Sequence, residues 1–257
     1  MTMLWRNKIP ISAVIYEFLV VVALCLITFF LWKKYVERKK KPVMYLGLTF
    51  TFFSVALLVD TLGRWLGFIL VNIDYMDRSF TDICTLLSYV FLAIANCFII
   101  AFMDSVFFHK GTDFILPFSL FYGVVIGLII PKITEWVADP SFGKLRESTF
   151  VLYYYGIISI LSYGLLAYFG IREGVLNTDR LPKVGFHLIG SFGVCLILMF
   201  VTLVGDTILV ANVAAFSQGY SPLYYIGFTL AAISLGLGYL GYIMPDWFKN
   251  IVARTTT

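Results

Sequence analysis

Five polar side chains sit where the flanking sequence is almost wholly apolar: Glu17, Asp60, Arg64, Asn96 and Asp206. Polar groups carried into a bilayer are costly, so each is a candidate functional group. Asp60 and Arg64 are the sharpest pair. Four residues apart on a helix, they share a face, and an acid one turn N-terminal to a base forms an internal ion pair. Such a pair serves either as a structural tie within a bundle or as the polar floor of a cavity open to the outside. A third role is plain snorkelling of Arg64 to the outer surface. The chemistry these types offer is binding of a charged ligand or a proton.

Covalent catalysis is disfavoured by what is missing. Only two histidines occur, His109 and His187, and both fall at the ends of apolar stretches. A zinc hydrolase needs more histidine, or histidine with carboxylates at one depth. No serine within an apolar stretch has a histidine at matching depth to act as its base. GxSxG, HExxH and P-loop motifs do not occur. The expectation is a non-enzyme with no cofactor and no metal.

The elements that must position these groups follow from composition. The 257 residues are 60% hydrophobic and 13% charged, with mean hydropathy +0.91. Soluble domains run at about 45–50% apolar and about 25% charged, so a soluble enzyme, a disordered chain and a nucleic-acid-binding module are excluded. About 20 apolar residues span a bilayer as a helix. Seven such stretches are present, at about 11–32, 43–71, 83–107, 114–130, 149–170, 184–209 and 222–244. The fold class expected is all-α, a single polytopic domain of seven transmembrane helices. Beyond Pro245, DWFKNIVAR reads as a short interfacial helix over 246–254. The first stretch is too long for a signal-peptide core and precedes a basic cluster, so it is expected to remain.

Cations report topology. With the N-terminus outside, inner segments hold twelve Lys and Arg and outer segments six. Half of the inner set is Lys33, Lys34, Arg38, Lys39, Lys40 and Lys41. That cluster is a topology determinant, and a possible contact for anionic lipid or a partner. The expected orientation is N-outside and C-inside, which puts Glu17, Asp60, Arg64 and Asp206 at one outer depth with Asn96 below. The longest loop is expected at 131–148. Gly63 with Gly67, and Gly123 with Gly127, have the GxxxG spacing of close helix packing. Gly227, Ala231, Ser234, Gly238 and Gly241 lie near one face of the last span, which should therefore pack among neighbours. Tyr153, Tyr154 and Tyr155 fit an interfacial belt. The four cysteines suggest small fillers, not a disulfide framework.

Two seven-helix families are set aside on motifs. Residues 222–244 contain no lysine for a retinal Schiff base. MDSVFF and GYLGYIMPDW stand where a G-protein-coupled receptor has its Asp-Arg-Tyr and Asn-Pro-x-x-Tyr signatures. FIIAFMDSVFF and the exit YLGYIMPDWFKN instead resemble the N-terminal seven-helix sensor modules of archaeal and bacterial membrane histidine kinases. There a Pro-x-Trp exit leads into a cytoplasmic signalling domain. The resemblance implies a prokaryotic-type sensor or signalling accessory protein working through a partner, since no kinase domain follows Pro245. A small transporter or channel, and a structural or assembly subunit, are the other expectations.

Overall fold

The computed structural model describes residues 11–72, 79–108, 115–138, 149–213 and 220–254. Eight helices account for nearly all of them: α1 (Ile11–Arg38), α2 (Lys41–Asn72), α3 (Ser79–Phe107), α4 (Ile115–Ala138), α5 (Thr149–Leu176), α6 (Arg180–Asn212), α7 (Pro222–Ile243) and α8 (Asp246–Arg254). The first seven are long and apolar enough to cross a membrane.

Most helices outlast the apolar stretches that announce them, because i→i−4 hydrogen bonding does not require apolar side chains. The largest extension is in α4. The expected span stops at about residue 130, before Pro131, yet the helix runs on to Ala138. Pro131 cannot donate to the Gly127 carbonyl, and Thr134 Oγ1 bonds the carbonyls of Ile130 and Pro131 at 3.2 and 2.8 Å. The expected 131–148 loop is therefore helical in its first part, and 139–148 lie outside the described residues. Likewise α1 carries Lys33, Lys34 and Arg38 on helix. Only Lys39 and Lys40 form the turn, with Lys39 in the left-handed region at φ 53°.

The helices close into a ring. Each of α1 to α6 packs on the next in chain order, α7 returns to α1, and α8 lies against α6. The centre is filled by Leu24, Phe50, Phe102, Tyr163, Phe192 and Leu235. Large apolar side chains such as Leu19, Phe29, Leu116, Leu161 and Val201 point outward. In water this surface would drive aggregation; in a bilayer it is the solvent-matched face. The expected small-residue face of α7 is buried throughout.

Glycines set the closest approaches. A Cβ at Gly190 of α6 would lie 2.9 Å from the Ile171 backbone nitrogen of α5, and one at Gly241 would lie 2.9 Å from the Gly185 carbonyl oxygen. Gly63 meets Cys84 of α3 just as closely. The other GxxxG pair behaves differently: Gly123 and Gly127 face open space. That spacing permits close approach but does not say which helix makes it.

Opposite outcomes follow for two Gly-to-Ala changes. Gly190→Ala must push backbone apart and should cost about 1–3 kcal/mol. Gly123→Ala adds helix propensity without a clash and should gain about 0.5–1 kcal/mol. Thermal unfolding in detergent micelles, followed by near-ultraviolet circular dichroism, checks both signs.

Candidate functional site

The Asp60–Arg64 pair forms as its spacing demands, with Nη2 of Arg64 2.7 Å from Asp60 Oδ2. The rest of the site comes from other helices. Glu17 of α1, 1% exposed, places Oε1 2.6 Å from Arg64 Nη1. Thr85 of α3 donates to Asp60 Oδ1 at 2.8 Å. Arg64 Nη1 donates to the Tyr224 hydroxyl of α7. Aromatic rings of Tyr224, Tyr220 and Phe228 stand 5.3, 6.0 and 6.0 Å from the guanidinium carbon. One cation thus holds two carboxylates from different helices and is flanked by three ring faces. Each contact offsets part of the cost of removing the guanidinium from water. Counted formally, two carboxylates face one guanidinium.

Local sequence explains how α1 and α7 reach this point. Both helices start at the same end of the bundle and run parallel. Beside the cluster, the Tyr16 hydroxyl pairs with Thr229 Oγ1 at 2.5 Å, and Ser12 pairs with the Tyr225 hydroxyl at 3.1 Å. At the far end, Arg38 of α1 donates to the Ile243 carbonyl of α7 at 3.3 Å. That carbonyl is one of the unsatisfied acceptors at a helix C-terminus, where a cation is favoured. The α1–α7 pair is therefore tied at both ends, about 30 Å apart along the helix axes.

Neither Asp206 nor Asn96 is among the groups that bind the guanidinium. Asp206 Oδ1 accepts the Ser221 backbone N–H at 2.8 Å. Ser221 caps α7, its side chain accepting from Leu223 N–H, with Pro222 in the first turn. Asp206 thus pins the start of α7, which carries Tyr224. Asn96 lies in a second, buried knot between α3 and α5. Its Nδ2 donates to Tyr155 and Ser159 at 3.2 and 3.1 Å, and its Oδ1 accepts from Tyr163 at 2.7 Å. Tyr122 of α4 adds a 2.8 Å bond to Ser162. Tyr155 is thus core and not part of an interfacial belt, whereas Tyr153 is 61% exposed. His187 bonds the Lys183 carbonyl within its own helix, at 2.7 Å, and packs over Gly174.

No family model, curated protein or solved structure matches the chain. Among the described residues no three His, Cys, Asp or Glu side chains group as metal ligands. Beside the cluster, between α1 and α2, runs a groove of 270 Å³ lined by Phe18, Leu58, Thr61, Leu62 and Trp65. Its walls suit hydrocarbon.

Thr85, Tyr220 and Tyr224 were not among the sequence candidates. Hydroxyls at the depth of Arg64 were the available signal, and Tyr224 falls in the first turn of the last span. The basic candidates all sit together at the opposite end: Lys33, Lys34 and Arg38 on the last turns of α1, Lys39 and Lys40 in the turn, and Lys41 opening α2.

Two substitutions separate the roles of the outlying groups. Asn96→Leu strands three buried hydroxyls and should cost about 1–3 kcal/mol, read by unfolding in mixed micelles. Asp206→Leu should accelerate amide hydrogen exchange in the first turn of α7 while leaving the Asn96 knot protected.

Proposed function

We propose that the chain is a receptor-like membrane sensor or signalling accessory protein, with its N-terminus outside, its C-terminus in the cytoplasm and a partner that receives the signal. The orientation rests on the excess of cations at the end that bears the α1–α2 turn. The residues FIIAFMDSVFF and YLGYIMPDWFKN, with their likeness to prokaryotic sensor modules, support the class.

One observation carries the reading. Arg64 holds Glu17 of α1 and Tyr224 of α7 at once, and the far ends of these two helices carry the basic turn and α8. A proton or cationic group arriving at the carboxylates changes how strongly α1 and α7 are held to α2. The two parallel helices transmit that change to the inner end, where Arg38 joins them. Couplings of about 1–3 kcal/mol are typical of such devices. Here a single charge-assisted contact is of that size.

The test uses a protein free of native cysteine, spin-labelled at Val36 and Asn250, both exposed. Glu17→Gln removes one charge while keeping the shape of the side chain. The inter-label distance should shift by about 1–2 Å, with the melting point still cooperative. An unchanged distance in a folded Glu17→Gln protein overturns the reading.

The open Gly123–Gly127 face of α4 favours a second reading, a structural or assembly subunit. A fixed partner that co-purifies, with no distance change at α1 and α8, would select it. A transporter is less well supported. Thr85 and Asn96, which mark the two polar sites on α3, are eleven residues or about 16 Å apart along the helix.

A further inference from the structure

The inner end of α1, the turn into α2 and α8 form one surface with two properties. It is strongly basic. Lys33, Lys34, Arg38, Lys39, Lys40 and Lys41 fall within nine residues, and Lys249 and Arg254 add two cations from α8. The acids on this surface are already engaged, Glu37 by Lys34 at 2.6 Å and Asp246 by Lys249 at 2.8 Å. Among the described residues Lys33, Lys40 and Lys41 have no carboxylate partner.

The surface is also apolar in a defined place. On α8, Val252 is buried against the bundle, while Trp247 and Ile251, one turn apart, are 58% and 55% exposed. The same nine-residue helix carries Lys249, Asn250 and Arg254. The Asp246 carboxyl is held below the usual carboxylate range, first by its bond from Lys249 and further by the fields of Lys34 and Arg38. Arg38 also touches the last turn of α7, three residues before α8 begins. The basic turn and α8 therefore belong to one face.

We infer that this face is a docking site for the anionic phospholipid headgroups of the leaflet at that end, with α8 lying in the headgroup layer. Phosphates neutralise the unpaired lysines, and Trp247 and Ile251 enter the boundary between headgroup and acyl chain, where an indole is favoured. An acidic soluble protein would need an apolar patch for Trp247 and Ile251 as well as negative charge, whereas an anionic leaflet offers both at this depth. The inference needs only the membrane placement of the helices. It stands or falls separately from the sensor reading, whose test lies in the Glu17 contact.

The experiment uses the full chain purified in neutral detergent. Phosphatidylglycerol or phosphatidylcholine is titrated in, and bound lipids are counted by native mass spectrometry. Phosphatidylglycerol should bind preferentially, and each lysine removed from Lys33, Lys40 and Lys41 as Lys→Ser should weaken it about fivefold. Lys132→Ser, at the opposite end, should change nothing. Equal binding of the two lipids by the native chain, or undiminished preference in the triple variant, overturns the inference. A single-tryptophan variant offers a second measurement that leaves every charge in place. With Trp5, Trp32, Trp65 and Trp136 replaced by Phe, brominated phosphatidylglycerol should quench Trp247 more than brominated phosphatidylcholine, and the difference should vanish in high salt. Equal quenching by the two lipids also overturns it.

Discussion

A guanidinium cannot shed its charge, so carrying one into a helix bundle commits the surrounding structure to neutralising it. Arg64 meets that demand with Asp60 from its own helix, Glu17 from α1, the Tyr224 hydroxyl from α7 and the faces of three aromatic rings. The partners come from elements that are distant in sequence. Satisfying one side chain therefore fixes the rotation of α1 and the height of α7. Removing one member of such a group typically costs about 3–5 kcal/mol, because the remaining charge is left uncompensated.

Other features read as support for that arrangement. Asp206 and Ser221 fix where α7 begins, which decides whether Tyr224 stands level with Arg64. Glycine crossings bring α5 to α6 and α6 to α7 within backbone contact, closing the ring that presents α7 to α1. The Asn96 knot ties α3 to α5. At the far end Arg38 holds α7 to α1 through a carbonyl that the helix itself leaves unsatisfied. Charge at one end and the basic turn at the other are thus joined by two continuous helices.

Much of this was legible in the residue order. Seven spans follow from apolar length alone, and the Asp60–Arg64 pair follows from helical spacing. The small-residue face of α7 was legible as a packed face for the same reason. What escaped depends on rotation and on tertiary choice. Shared depth brought Glu17 to Arg64 but took Asp206 to the start of α7, because depth says nothing about which way a side chain points. Tyr153 and Tyr155 are two residues apart yet face outward and into the core respectively. Gly123 and Gly127 have the spacing of a packing motif without a packed neighbour. The segment from 131 was expected to be loop, yet α4 continues through Pro131 to Ala138, where local hydroxyl bonding at Thr134 supports the turn.

The central claim is that the charges of Glu17, Asp60 and Arg64 exist for one another. Unfolding free energies in mixed micelles test it directly, comparing Arg64→Met with the triple change Glu17→Gln, Asp60→Asn and Arg64→Met. The account predicts that the triple variant is the more stable of the two, since it removes the carboxylates that the single change leaves uncompensated. A triple variant less stable than Arg64→Met alone, with losses simply adding, would contradict it.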